Sequence, residues 1–387
     1  MRLLHTSDWH LSKRIAGRDR TEEYRAVLDE LIDVAETHQV DAVIHSGDLF
    51  DRAIPPLEAL ELGIGSLLRL ADGGRRPVVV VAGNHDSPQL FDTLAPLVAP
   101  FGVHLVGALK APEDGGVRRF DLPAGPLAVS CLPFVPQGKV VDAMVDPGEA
   151  YTTYADRLRA LAAAHQRVVV ADHTDAVTVF AAHFMVSGVA IARGKGPRGE
   201  KELSIGEAYA ATSAAVPTGY SYVALGHIHA PQPVPGSGAS AEYAGSLLQL
   251  DFGEAGEEKR VVVVEVAAPG RPAVATSVPL VAGRPLRQVG GTWEELRDRD
   301  DLEDAWLEVV VQTTGPPSTE LIDEVRARYP MAVKIRADYR TEEASGGHRV
   351  SGRPLAELYE EWHRTTHGEP DAELLELFAE IEQAVAG

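Results

Sequence analysis

The chain has 387 residues, 45% of them hydrophobic and 24% charged, and a formal net charge of −21 at pH 7. That balance describes an ordinary globular protein of roughly two or three domains and argues against a generally basic nucleic-acid-binding surface. A single cysteine, Cys131, excludes an intramolecular disulfide and fits a reducing, cytoplasmic compartment; no signal peptide is read, and no apolar run is long enough to span a membrane.

In chain order, Leu3-Leu4-His5-Thr6-Ser7 leads into Asp8-Trp9-His10. Residues 21–37 place Tyr24, Val27, Leu28, Leu31, Ile32 and Ala35 at helical spacing, with Thr21 as N-cap and Glu22 and Glu23 suited to the first turn. Asp41-Ala42-Val43-Ile44-His45-Ser46 then leads into Gly47-Asp48-Leu49-Phe50-Asp51. A second helix covers 56–70, opened by Pro55-Pro56 and closed before Gly73-Gly74. The valines from Val78 read as a buried parallel strand running into Gly83-Asn84-His85-Asp86, a tetrapeptide that taken alone also fits a simple turn. Ser87-Pro88 opens a helix interrupted by Pro96. The alternation of strand and helix predicts an α/β fold.

Cys131 lies in apolar surroundings and reads as a buried structural thiol. Residues 156–166 read as a helix. Val177-Thr178-Val179-Phe180-Ala181-Ala182 ends in His183, and Tyr222-Val223-Ala224-Leu225 ends in Gly226-His227-Ile228-His229. The Gly-rich basic stretch 193–201 reads as a solvated loop in preference to a substrate clamp. A charged turn over 254–259 precedes a strand at 261–266, and 269–285 reads as a boundary rich in Pro and Gly. Beyond it, strand 306–312, helix 319–329 and strand 331–336 predict a small second domain. A polar linker at 341–347 leads to amphipathic helices at 354–364 and 371–385, the latter with Leu374, Leu375, Phe378, Ile381 and Val385 on one stripe.

Five apolar runs thus end in Asp, Asn or His, and their ends converge if the strands share a parallel sheet. The set Asp8, His10, Asp48, Asn84, His183, His227 and His229 mixes imidazoles, carboxylates and an amide, which suits Mn, Fe, Zn or Co better than Mg or Ca. Seven such side chains suit two ions sharing a bridging carboxylate, the arrangement that activates water and neutralises a phosphoryl group. His85, beside Asn84, is placed to donate to a leaving oxygen, with Asp51 as its orienting carboxylate and Asp86 as the alternative or a helix cap. Arg52 fits a phosphate contact or an ordinary surface residue. His5, His38, His45, His104, His165 and His173 read as structural or surface histidines.

Asp8-Trp9-His10, Gly47-Asp48-Leu49-Phe50-Asp51, Gly83-Asn84-His85-Asp86, His183 and Gly226-His227-Ile228-His229 stand in the order of the calcineurin-like metallophosphoesterase motifs. More narrowly, the opening of the chain and residues 202–254, with Gly245-Ser246-Leu247-Leu248, resemble the SbcD family of bacterial nuclease subunits. The resemblance implies a metallophosphoesterase β-sandwich flanked by helices (1–268), a small α+β capping domain (280–345) and a C-terminal helical partner-docking segment (352–387). It implies two divalent ions, manganese by preference: Asp8, His10, Asp48 and His229 on the first, Asp48, Asn84, His183 and His227 on the second, with His85 acting on the scissile phosphate. Asp51 differs from archaeal members, which carry histidine there. The implied activity is exonuclease on duplex DNA ends and endonuclease on single strands or hairpins, in repair and recombination. The implied partners are DNA, a second copy docked through helices near Ser87-Pro88, and an SbcC-type coiled-coil ATPase, in a heterotetramer away from membranes. A stand-alone phosphoesterase on small phosphodiesters or phosphoproteins, and a non-catalytic scaffold, are the competing readings.

Overall fold

The computed structural model describes residues 1–136, 154–190, 211–234, 236–339 and 355–366, together with 368–371, 374–375 and 377–378. The first stretch alternates as read: β1 (Arg2–Thr6), α1 (Thr21–Thr37), β2 (Ala42–His45), α2 (Leu57–Leu70), β3 (Val78–Val81), α3 (Pro88–Val98) and β4 (Val103–Val106). Next come the antiparallel pair β5 (Val117–Leu122) and β6 (Gly125–Leu132), then α4 (Tyr154–Asp172), β7 (Val177–His183) and β8 (Tyr222–Gly226). The short β9 (Gln232–Pro233) and β10 (Ala241–Tyr243) lead to β11 (Arg260–Glu265) and β12 (Val274–Pro279).

The five strands with polar ends do not share one sheet. β1, β2 and β3 are parallel neighbours in a six-stranded sheet of order β12-β11-β1-β2-β3-β4, whereas β7 and β8 are parallel neighbours in a second, of order β5-β6-β7-β8-β10-β9. The two-residue side-chain period explains why these sheets stack. Ala42 and Ile44 of β2 point into a layer shared with Val129 of β6 and Val179 and Ala181 of β7, while Val43 points the other way, towards Leu28 and Leu31 of α1. Phe180 and Ala182 of β7 pack outwards with Leu158 and Leu161 of α4. The order of layers is helix, sheet, sheet, helix. Strands covered on both faces must be apolar throughout, hence the unbroken valine runs. Each fully buried Val, Leu or Ile contributes about 1.5–3 kcal/mol.

Local signals hold with small shifts. Thr21 is the first residue of α1, not its cap; Arg20 precedes it, its guanidinium held by Glu23 and the Gln249 carbonyl. Ser87 caps α3 by accepting from the Leu90 N–H, and the helix runs through Pro96 to Val98. The Pro- and Gly-rich stretch 269–285 contains β12, which pairs antiparallel with β11 and extends the first sheet.

β13 (Leu286–Gly291), α5 (Trp293–Arg297), β14 (Trp306–Gln312), α6 (Thr319–Arg328) and β15 (Ala332–Asp338) form a three-stranded sheet of order β13-β14-β15 with its own core of Val289, Leu296, Leu307, Val309, Val325 and Tyr329. Trp306 joins this piece to α1 through an N–H donated to Glu23 at 2.8 Å. The chain divides into two compact units, residues 1–312 with 317–337, and residues 313–316 with 338–387. The second unit contains α7 (Leu355–Thr366), where Tyr359 stacks on Phe378 at 4.1 Å. The 193–201 loop, the 341–347 linker, and Ile381 and Val385 of the tail stripe lie outside the described residues. No described helix is long and apolar enough to cross a membrane.

His165 in α4 is fully buried, and neither ring nitrogen has a hydrogen-bond partner among the described residues. Burial lowers its pKa from 6.5 to about 4. Between those values the unfolded chain takes up a proton that the fold refuses. The contribution to stability is therefore complete above pH 6.5 and disappears as the pH falls to 4, a loss on the order of 3 kcal/mol. We expect His165→Leu to melt with a shallower loss of Tm over this range than the unaltered chain; parallel Tm curves would contradict it.

Candidate metal centre

Because the sheets stack with their strand ends at one edge, the segments after β1, β2, β3, β7 and β8 meet there. Main-chain bonds tie the first two together: Asp8 N–H donates to Gly47 O at 2.9 Å and His10 N–H to Asp48 O at 3.0 Å. The Asp86 carboxylate ties the second to the third, accepting from Leu49, Phe50 and Gly83 N–H. Asp86 is thus a knot between loops, neither the orienter of His85 nor the cap of α3. Burial and the nearby Asp48 raise its pKa to about 6, against the pull of those three N–H groups.

Asp8, His10, Asp48 and His227 have φ of 50°, 45°, 55° and 92°. Left-handed backbone at non-glycine residues costs about 1–3 kcal/mol each and persists only where surrounding bonds enforce it. Two glycines are required by close approach. A Cβ on Gly83 would collide with the Asp48 carboxylate, and one on Gly47, itself at φ 111°, with the His183 ring.

The side chains converge on Asp48. His183 Nδ1 lies 2.8 Å from Ser46 O, which only accepts, so Nδ1 carries the proton. In the neutral ring Nε2 then turns a lone pair towards Asn84 Oδ1 at 3.0 Å and Asp48 Oδ2 at 3.4 Å. His229 repeats the pattern: Nδ1 is 2.9 Å from Glu254 Oε1, and Nε2 faces His10 Nε2 at 3.0 Å. His10 Nε2 also lies 3.5 Å from Asp48 Oδ2, and His227 Nδ1 2.8 Å from Asn84 Oδ1. With these ring nitrogens deprotonated, lone pairs face lone pairs in a dry site and repel, and a proton or a metal cation among them reverses the sign. The donor set therefore fits metal ions. Ligand atoms of Asp8, His10 and His229, of Asp8, Asp48 and His183, and of His10, Asp51 and His85 form three groups, each with all its atoms within 4.8 Å of one another. Asp8 thus stands beside both halves of the cluster.

The carboxylates demand positive charge, which in the metal-free chain a proton on His183 supplies. Burial opposes charge on His183, yet Asp48 and Asp8 overcome it and raise its pKa to about 9. Burial would raise Asp48, but His183, His10 and His85 hold it well below the usual carboxylate range. Asp8 is raised, by burial first.

All seven residues read as ligands, together with His85 and Asp51, come together here, and Arg52 lies exposed on the Asp51 loop. One expectation changes at the atomic level. His85 Nδ1 lies 2.9 Å from the main-chain O of Asp51, so the carbonyl orients the ring; the Asp51 carboxylate turns to Lys13 Nζ at 3.1 Å and His10 Nδ1 at 3.6 Å. Three residues escaped the sequence reading. Ser46 anchors His183 through its carbonyl, which no side-chain pattern announces. Glu254 and Lys259 were read as a charged turn, but they are 3% and 5% exposed and form an ion pair at 2.7 Å behind His229. Glu254 is held well below the carboxylate range, Lys259 and His229 overcoming the effect of burial. The only signal was position, since Lys259 directly precedes the apolar strand β11 and Glu254 lies five residues before Lys259.

Stacked sheets with histidines, carboxylates and an amide at their shared edge define a metal-dependent phosphoesterase site. Residues 1–231 match the family model described as calcineurin-like phosphoesterase, and residues 282–380 match one described as Type 5 capsule protein repressor C-terminal domain. The SbcD subunit of the SbcCD nuclease from Bacillus subtilis is 32% identical over 100% of this chain and 98% of its own length. Its namesake from Rhodobacter capsulatus is 28% identical over 95% and 92%, and that from Escherichia coli 29% over 81% and 78%. The chain belongs to this divalent-metal-dependent calcineurin-like phosphoesterase family, in the branch of the SbcD subunits.

Gly83→Ala should push the Asp48 carboxylate aside, costing about 1–3 kcal/mol as an overpacked core does and reducing the rise in Tm on adding manganese. Calorimetry with and without the metal checks this; a rise equal to that of the unaltered chain would show that the close approach is dispensable.

Proposed function

We propose that this chain is a two-metal DNA nuclease, the catalytic subunit of a complex with an SbcC-type coiled-coil ATPase. The observation that carries the reading is the paired anchoring of His183 and His229, each held at Nδ1 so that Nε2 meets other lone-pair donors around Asp48. Asp8, His10, Asp48 and His229 would hold one ion, and Asp48, Asn84, His183 and His227 the other, with manganese the preferred metal for such N/O donors. Two such ions, when bound, supply a hydroxide at neutral pH and neutralise charge on the attacking and leaving oxygens of a phosphodiester.

The chain's own residues do the rest. Asp48 is the carboxylate shared between the two halves, with Oδ1 occupied by the His85 N–H at 2.8 Å and Oδ2 facing His10 and His183. His85 is held at Nδ1 by the Asp51 carbonyl, which leaves Nε2 to carry a proton to the leaving oxygen. Residues 1–268 carry this chemistry, 280–345 cap it, and 352–387 dock on the ATPase. The net charge of −21 supports a partner: so acidic a chain binds long DNA weakly, and binding through phosphates weakens further with salt. A homodimer within a heterotetramer, in the cytoplasm, completes the proposal.

His85→Ala should retain metal and lose about 10²–10⁴-fold in cleavage of linear duplex DNA and of a chromogenic phosphodiester. Near-normal cleavage with metal occupancy confirmed would reject the role of His85. If only the chromogenic ester were cleaved by the unaltered chain with its ATPase partner, the substrate would be a small phosphodiester.

Removing residues 371–387 should leave cleavage of short DNA intact and abolish ATP-stimulated processing of long duplexes, since an apolar stripe on a helix is the usual anchor for a partner groove. Co-purification with the ATPase is the readout, and undiminished partner binding would defeat the docking idea.

A further inference from the structure

Glu254 and Lys259 grip both ends of one candidate ligand. The Glu254 Oε1 accepts from the His229 ring at Nδ1, 2.9 Å away, and Oε2 lies 2.7 Å from Lys259 Nζ. The same ammonium donates to the main-chain O of His229 at 3.0 Å and to Glu257 Oε2 at 3.1 Å. Leu250 N–H donates to Glu254 Oε2 at 3.1 Å. The carrying segment is itself fixed, since Gln249 accepts from Arg20 at its main-chain carbonyl and from Leu286 N–H at its side chain. A buried ion pair is costly to desolvate and seldom adds net stability over apolar packing. It does specify geometry. Here it sets one ring rotation, one tautomer and one backbone position, all of His229.

We propose that Glu254 and Lys259 are positioning residues for the metal site containing His10 and His229: Glu254 fixes the His229 ring so that Nε2 faces the ion, and Lys259 fixes both that carboxylate and the His229 backbone. The inference rests on the two-metal reading above. His183, by contrast, is anchored by a main-chain carbonyl, so the pair acts on the His229 half of the centre only.

The test is a manganese titration of the full chain, followed by calorimetry and by electron paramagnetic resonance of the bound ion, with anomalous scattering from soaked crystals to tell the two positions apart. Glu254→Ala should weaken the position beside His10 and His229 by about 10–100-fold, as loss of a hydrogen-bonded partner of a ligating histidine does, and leave the other at its original affinity. Glu254→Gln, which keeps an acceptor for the Nδ1 proton, should recover part of the loss. Because removing one charge of a buried cluster disturbs folding, Glu254→Gln and Glu257→Gln combined with Lys259→Met remove the ammonium together with both carboxylates it pairs with, and this variant should melt like the unaltered chain without metal while still binding the first ion weakly. Two original affinities in Glu254→Ala would overturn the inference. So would equal weakening of both positions with a lowered metal-free Tm, the mark of a merely structural pair. An unaltered chain that bound fewer than two ions would overturn the two-metal reading, and this inference with it.

Discussion

Everything at the centre depends on one buried carboxylate. Asp48 is 2% exposed, and its two oxygens meet the His85 N–H, His10 and His183. A carboxylate so enclosed needs positive charge, and the groups around it are arranged to supply or hold it. The surrounding constraints follow. Gly83 exists because any side chain would occupy the carboxylate's place, and Gly47 because the His183 ring lies against it. The left-handed backbone at Asp8, His10, Asp48 and His227 is the local cost of aiming four donors inward, and the main-chain bonds from Asp8 and His10 to the Asp48 loop hold it there.

Behind the donors lies a second layer that fixes how they point. Ser46 holds His183, Glu254 holds His229, and the Asp51 carbonyl holds His85. Deeper still, His5 spans the gap between the sheets, with Tyr222 at 2.9 Å on one ring nitrogen and Ser46 at 2.9 Å on the other. Burial and nearby Arg260 lower its pKa to about 3, so it stays neutral and serves as a hydrogen-bonded spacer beneath the charged site. A neutral layer under a charged one suits a centre that must accept cations without also burying extra positive charge.

The small three-stranded sheet is joined to the same framework. Glu23 accepts from Trp306 and from the Arg284 N–H while paired with Arg20, and Arg20 reaches the Gln249 carbonyl in the segment that carries Glu254. The polar chain from β14 to the metal centre is therefore continuous, and it is buried along the Arg20–Glu23 pair. This path is a physical connection between the added sheet and the His229 side of the site.

The sequence alone determined the elements and the donors. A strand buried on both faces must be apolar, so where an unbroken run such as Val78–Val81 stops at Asn84 and His85, or that of β7 stops at His183, the polar residue marks both the sheet edge and the chemistry. Side-chain spacing likewise announced α1, because helical period is a local property. What the sequence did not contain was the pairing of distant strands. The run endings alone let the five strand ends converge on one parallel sheet, while the family resemblance implied a β-sandwich; the inner-layer packing of Ile44 against Val129 and Val179 puts them on two stacked sheets, and only stacking brings His183 to Asp48. Nor did it contain contacts made by main-chain atoms or across long separations. The orientation of His85 by a carbonyl, of His183 by Ser46 O, and of His229 by a carboxylate 25 residues away depends on how the backbone closes in three dimensions, and residue identity carries no record of that closure.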